Sequence, residues 1–155
     1  MKRIQLVYHG PGALGMCWFG LGPNLRPSRS LLKLERLLNK HAFWAKDRAL
    51  EDLRTMLSHS TVVVSLWRGK RMIGFGRAHS DGIYRAILWD IVVAGDLQGK
   101  GLGREVVNGL LNSRQLKNTE IIYLMTTNSS GFYQQLKFRI SKNQKLMIKC
   151  CQTSG

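Results

Sequence analysis

The sequence predicts a mixed α/β fold, α+β in its ordering, with a central twisted mixed sheet flanked by helices. Three observations carry that expectation. Residues 61–93 hold three apolar segments separated by turn signals at Arg68-Gly69-Lys70 and Asp81-Gly82, the pattern of an antiparallel meander. A loop with Gly99, Gly101 and Gly103 then opens a helix whose Val106, Val107, Leu110 and Leu111 recur on one face. Another strand and a short helix follow, so the two element types share one core. At 155 residues and 44% hydrophobic content the chain is long enough for such a core, and one domain over residues 1–155 is expected.

In order, residues 3–8 (RIQLVY) read as a first strand. The Gly-, Pro- and Ser-rich stretch 10–30 reads as a loop over one end of the core, packed down by Trp18 and Phe19. Ser30 is a candidate N-cap for a helix with Leu31, Leu32, Leu34, Leu37 and Leu38 on its apolar face. A second helix is expected over residues 46–57, carried by Ala49, Leu50, Leu53, Met56 and Leu57. Residues 61–67 (TVVVSLW) have the composition of a buried strand, and residues 71–78 and 84–93 complete the meander. Residues 119–126 predict a further strand and 129–136 a short helix. Residues 138–140 and 145–148 are expected to close the sheet.

Lys and Arg number 24 against 9 Asp and Glu, a formal charge of +15. Such an excess favours polyanions: nucleic acid, the ribosome, an anionic membrane surface or a phosphorylated cofactor. The cations are scattered along the chain, so charge alone does not choose. Cys17, Cys150 and Cys151 are odd in number and have no C-x-x-C spacing, so neither a zinc site nor a disulfide framework is expected. A reducing compartment follows. The first ten residues read as a strand rather than a signal peptide, and apolar residues 13–22 are too short to span a bilayer. No membrane partner and no metal are expected.

The glycine loop carries the chemistry. Glycine lets successive backbone N–H groups turn toward one point, and the first amides of a helix have no intrahelical acceptor. With the helix dipole and the charges of Lys100 and Arg104, this is a cradle for a pyrophosphate. G-x-x-x-x-G-K-[ST] is absent, and Gly103 stands off register for G-x-G-x-x-G. Gln98-Gly99-Lys100-Gly101-Leu102-Gly103 instead matches Q/R-x-x-G-x-G/A, the signature of the GNAT acetyltransferases. One strand further on, Gly131-Phe132-Tyr133-Gln134-Gln135-Leu136-Lys137-Phe138 resembles their second signature, F-Y-x-x-L-G-F. Ile87-Leu88-Trp89-Asp90-Ile91-Val92-Val93 before the loop is similar to the cyanobacterial and chloroplast branch, whose members acetylate serotonin, related arylalkylamines or protein amines.

The resemblance implies acetyl-CoA as cosubstrate, with its pyrophosphate on Gln98, Gly99, Lys100, Gly101, Leu102, Gly103 and Arg104. Pantetheine would pair like a strand with Ile91, Val92 and Val93, and a backbone N–H there would meet the thioester oxygen. Asn128 is kept among the cofactor residues, although capping the helix that follows is its favoured role. Tyr133 is implied as the acid that protonates departing thiolate. Asp90, on an apolar strand and on the face of Leu88 and Val92 by alternation, divides evenly between general base and a carboxylate tied into a network. His79 is a second candidate base; His9, His41 and His59 carry no supporting context. Lys137 replaces the usual glycine, so it must either accept positive φ or force another turn. Residues 124–127 (LMTT) lack the carboxylate of ribosomal-type N-terminal acetyltransferases.

The leading expectation is therefore an N-acetyltransferase acting on a primary amine, most simply an arylalkylamine such as serotonin. Aromatic Trp18, Phe19, Phe43 and Trp44 are expected near its entrance. A protein lysine or N-terminus is the alternative acceptor. A basic nucleic-acid- or ribosome-binding protein on the same scaffold, or an acyl-CoA sensor, stands behind these. The cytoplasm is expected, or the plastid stroma for a chloroplast lineage, and the oligomeric state is left open, a homodimer included.

Overall fold

The computed structural model describes residues 2–151, and the chain divides into two compact units at Met125. In the first, β1 (Ile4–Tyr8), β2 (Val62–Arg68), β3 (Arg71–Ser80), β4 (Arg85–Val93) and β5 (Ile121–Tyr123) form one sheet in that spatial order. Neighbours are antiparallel except β4 and β5, which run parallel. The fold class is the expected mixed one. Val62 to Trp67 are all buried, in keeping with a run of β-branched and apolar residues covered on both faces.

Helices α2 (Ser30–His41) and α4 (Leu102–Leu111) both pack on β3, from opposite faces. Glycine allows the α4 contact: a Cβ on Gly76 would stand 2.8 Å from Val106 Cγ1 and 3.0 Å from Leu110 Cδ1. Arg77, the next residue, therefore points to the other face, which α2 covers with fully buried Leu34 and nearly buried Leu38.

Several boundaries differ from expectation. Residues 14–19 are a short helix, α1 (Leu14–Phe19), ended by Gly20 at φ 59, rather than loop. Trp18 and Phe19 do not pack that segment down; they are 66% and 72% exposed. Ser30 is not an N-cap, because the helix enters through Arg29 at φ 52 and the Ser30 hydroxyl is buried without a partner. The next helix, α3 (Leu50–Ser58), begins later than residue 46 because Asp47 at φ 59 and extended Ala49 interrupt the turn. Glu51 and Asp52 then favour its positive N-terminus.

The second unit holds α5 (Ser130–Gln135), close to the expected helix. Lys137 accepts φ 68. The strands expected at 138–140 and 145–148 are absent among the described residues. The tract mixes five apolar side chains with cations and amides and leaves four of them, Ile140, Leu146, Met147 and Ile148, exposed, so it buries too little to hold a ladder. No helix among the described residues is long and apolar enough to cross a membrane.

Candidate active site

The site starts at an irregularity in β4. Phe75 pairs with Val92 and Arg77 with Trp89, so Gly76 alone opposes both Asp90 and Ile91. This β-bulge puts Asp90 at φ 54, a region that non-glycine residues rarely enter, Asp and Asn more readily than most. It also breaks the expected alternation. Leu88, opposite Ala78, lies on the α4 face, whereas the Asp90 carboxylate turns with Val92 to the other.

There Asp90 is saturated. Oδ2 accepts from Arg77 Nε at 2.7 Å and lies 3.2 Å from Arg48 Nη1, while Oδ1 accepts from Trp44 Nε1 at 3.2 Å. Burial alone would push this carboxyl up, but the bonds and charges of Arg77, then Arg48, outweigh it and hold it below the usual range. Of the two roles the sequence left even, the geometry shows the network. An ionised carboxylate held this way is a poor acceptor for a substrate proton. Arg77, Arg48 and Trp44 had no signal marking them as its partners. A carboxylate inside an apolar strand demands a cation but does not say which.

Ahead of the bulge, β4 has already lost its other neighbour. β5 pairs only with Arg85, Ala86 and Ile87, so from Leu88 to Val93 that edge has no strand partner among the described residues. Ile91, Val92 and Val93 stand on the open edge. The chain then makes a 3-10 turn at Gly95–Leu97, fixed at two points. His41 Nδ1 accepts the Gly95 N–H at 3.0 Å, and Arg71 grips Asp96 through two bonds of 2.7 and 2.8 Å.

The glycine loop follows. Gly99 and Gly101 adopt φ 76 and 80, and a Cβ at either would meet nothing within 4 Å, so the loop surface is open. Gly101 is the N-cap of α4 without a side-chain cap, and the first amide bond into the helix runs from Glu105 N–H to Gly101 C=O. The N–H groups of Gly101, Leu102, Gly103 and Arg104 meet no acceptor among the described residues. Lys100 and Arg104 are exposed and pair with no carboxylate there. Gln98 is exposed, its Nε2 donating to Val93 C=O at 3.4 Å. Four free amides, a helix dipole and two free cations suit a pyrophosphate.

In the second unit, Tyr133 is buried, its ring edge-on to Phe132 and Phe138 at centroid distances of 4.9 and 5.9 Å. Its hydroxyl has no hydrogen-bond partner among the described residues, and burial raises its pKa. Asn128 does not cap α5. Ser129 occupies the N-cap position, and Asn128 Oδ1 accepts only from the Ser129 hydroxyl.

Other candidates separate. Phe43 and Trp44 form an edge-on pair beside the Asp90 network, while Trp18 lies over the Arg54 guanidinium of α3 at 5.2 Å. His79 sits opposite Ile87, its pKa lowered by burial and then by Arg77. His9 is tied to Ser65 Oγ at 2.6 Å, and His59 Nδ1 to Thr55 C=O. Among the described residues no group of three or more His, Cys, Asp or Glu could hold a metal.

An open edge of β4, its bulge and an uncapped helix behind a glycine loop suit an acyl-CoA-type acetyltransferase scaffold, and comparison agrees. Residues 31–138 match the acetyltransferase (GNAT) family model, and the chain belongs to that family. It is 34% identical over 114 residues to an N-acetyltransferase called ycf52 of Porphyra purpurea, covering 70% of this chain and 64% of that protein. It is 39% identical over 97 residues to chloroplastic serotonin N-acetyltransferase 2 of Oryza sativa subsp. japonica, covering 59% and 48%. The chain thus spans about half to two thirds of the length of these relatives. Among solved structures, a GNAT-family acetyltransferase of Streptococcus pneumoniae TIGR4 superposes with TM-score 0.72 at 20% identity, covering 97% of this chain and 99% of that one.

Proposed function

We propose that this chain transfers an acetyl group from acetyl-CoA to a primary amine, and that the amine is a small arylalkylamine rather than a peptide N-terminus. The observation that carries the reading is continuous: the open edge of β4 from Leu88 to Val93 leads into the free amides of Gly101 to Arg104. When bound, acetyl-CoA supplies a thioester that a neutral amine can attack. The amides at the start of α4, with Lys100 and Arg104, would hold its pyrophosphate. The free backbone of Ile91, Val92 and Val93 would hold pantetheine and offer an N–H to the carbonyl oxygen. Holding both reactants makes the attack effectively unimolecular.

Tyr133 holds a proton on Oη, and its raised pKa keeps that proton in place across the neutral range, available for a leaving thiolate. Asp90 serves as an anchor: with Arg77, Arg48 and Trp44 it keeps the bulge in a conformation that aims the β4 backbone. The acceptor preference is supported by the serotonin N-acetyltransferase relative, by Phe43 and Trp44 exposed beside the bulge, and by residues 124–127 lacking an acid. Turnover in a reducing compartment, cytoplasm or stroma, is part of the same proposal.

Thermal shift tests the cofactor site. Acetyl-CoA should raise Tm in proportion to its concentration over Kd, and ATP or NAD should do so much less. Gly101→Asp should abolish the shift, because it puts a carboxylate beside amides meant for an anion. Equal shifts in parent and variant would remove the loop from the site.

A further inference from the structure

Away from the glycine loop, the first unit carries a groove of about 850 Å³. One wall is the 22–29 loop with the first turns of α2, which bring Arg26, Arg29, Lys33 and Arg36. The other is the start of β1 and the β2–β3 turn, which bring Lys2, Arg3 and Lys70. No Asp or Glu lines it, and neither do Lys100 and Arg104 of the cofactor loop. Ion pairs among the described residues engage Arg48, Arg54, Arg71, Arg77 and Arg85, so every cation of the groove is unpaired. This is where a large part of the +15 charge gathers.

Folding has concentrated like charge there at a cost. Lys33 donates to Lys70 C=O at 2.7 Å and lies over the Trp67 ring at 5.3 Å. Its ammonium is pushed below the ordinary lysine value first by burial, then by Lys70, Arg29 and Arg36. Charges from four separate chain segments on two walls suit a linear anion lying along the groove rather than a point anion. Gln5, Asn24 and Ser28 add neutral hydrogen-bonding groups between them. A second hollow of about 480 Å³ shares Arg3, Gln5 and Asn24 and continues the channel along the outer edge of β1.

We propose that this groove binds the sugar–phosphate backbone of a single-stranded polynucleotide. Concavity decides against a membrane plane, and a duplex, convex on all sides, would meet only the rim. An acidic helical peptide needs apolar anchors on one face. Trp67, the one large aromatic lining the groove, is 1% exposed, and only Leu32, Pro23 and Pro27 add apolar side chains among the seven cations. Four of the seven cations are arginines, whose planar guanidinium groups grip phosphate with two bonds and stack on unpaired bases. An electrostatic channel of this kind holds a strand with little regard to sequence.

The test is fluorescence anisotropy of the full chain with labelled (rU)12 and (dT)12, read over a salt series. For single strands, log K falls with log salt by about 0.7 per phosphate neutralised. A triple variant, Arg26→Gln, Arg36→Gln and Lys70→Gln, should bind at least about tenfold more weakly near 0.1 M salt, with a slope shallower by about 2. A charge-matched control, Lys46→Gln, Arg114→Gln and Lys117→Gln, should stay within about threefold of the parent. Acetyl transfer should be unchanged in the groove variant, which shows that it is folded. Comparison of (rU)12 with (dT)12 reads whether the 2′-hydroxyl contributes. Equal losses in both triple variants, tighter binding of a duplex of the same length, or tighter binding of polyglutamate or phosphatidylserine vesicles would overturn the proposal.

Discussion

Asp90 shows how a charge inside an apolar strand is held by a network of partners. It sits at φ 54 with two arginines and an indole on its carboxylate. Asp90→Asn keeps the shape, and asparagine tolerates that φ, so the variant removes the charge and turns one of two accepting oxygens into an amide donor. Leaving Arg77 and Arg48 without their counter-ion should cost about 3 kcal/mol near pH 7, measured by urea unfolding. Because the folded pKa is depressed, the contribution is fully present above the unfolded value and is lost as pH falls through the folded one. The gap between parent and variant should therefore narrow in acid. His9 has a separate window. Burial lowers its pKa to about 4, and Ser65, which accepts Trp67 Nε1–H at 2.7 Å, leaves its own proton for His9 Nε2. Unfolded His9 protonates first, so stability should fall between about pH 6.5 and 4 by up to about 3 kcal/mol. His9→Gln should flatten that fall; an unchanged profile would mean that the ring is hydrated. The sequence made Asp90 conspicuous as a charge in an apolar strand. It could not show a bulge whose cause is a pairing with Gly76 on another strand.

At the scale of elements, the site depends on how closely α4 sits on β3. Gly74 and Gly76 make that approach possible: an added Cβ on Gly74 would stand 3.1 Å from Val106 Cγ2, and one on Gly76 2.8 Å from Val106 Cγ1. Gly76→Ala should destabilise by about 1–3 kcal/mol, because the β-branched Val106 side chain cannot swing clear. It should also weaken acetyl-CoA binding, since α4 and its free amides move together. Unchanged stability in chemical denaturation would mean that the helix shifts freely. Elements with strong periodicity, such as α2 and α4, were legible in the sequence, as was the meander with its turns. The glycine loop was legible too, because positive φ and open amides require glycine at fixed positions. α1 was not, being one short helix in a stretch whose glycines and prolines signal loop. The last two expected strands failed for the converse reason. Apolar residues at 140 and 146–148 imitate a strand pattern, but a strand exists only with a partner edge.

Over the whole molecule, two surfaces of like charge stand apart, with no lining cation in common. The cofactor loop offers backbone amides with two cations, and the groove between β1 and α2 offers side chains alone. The central claim concerns the first, that this chain moves acetyl from acetyl-CoA to a primary amine. It is tested most directly by free-thiol release from acetyl-CoA, with tryptamine-like amines and with peptide N-termini as acceptors. Tyr133→Phe, checked by thermal melt, is run on the same day. The account predicts amine-dependent thiol release, faster with the arylalkylamine, and a kcat lower by ~10²-fold or more in the folded variant at little-changed affinity for acetyl-CoA. Thiol release that no amine accelerates, in a protein that acetyl-CoA stabilises, would contradict it and leave a scaffold that binds acyl-CoA without turning it over.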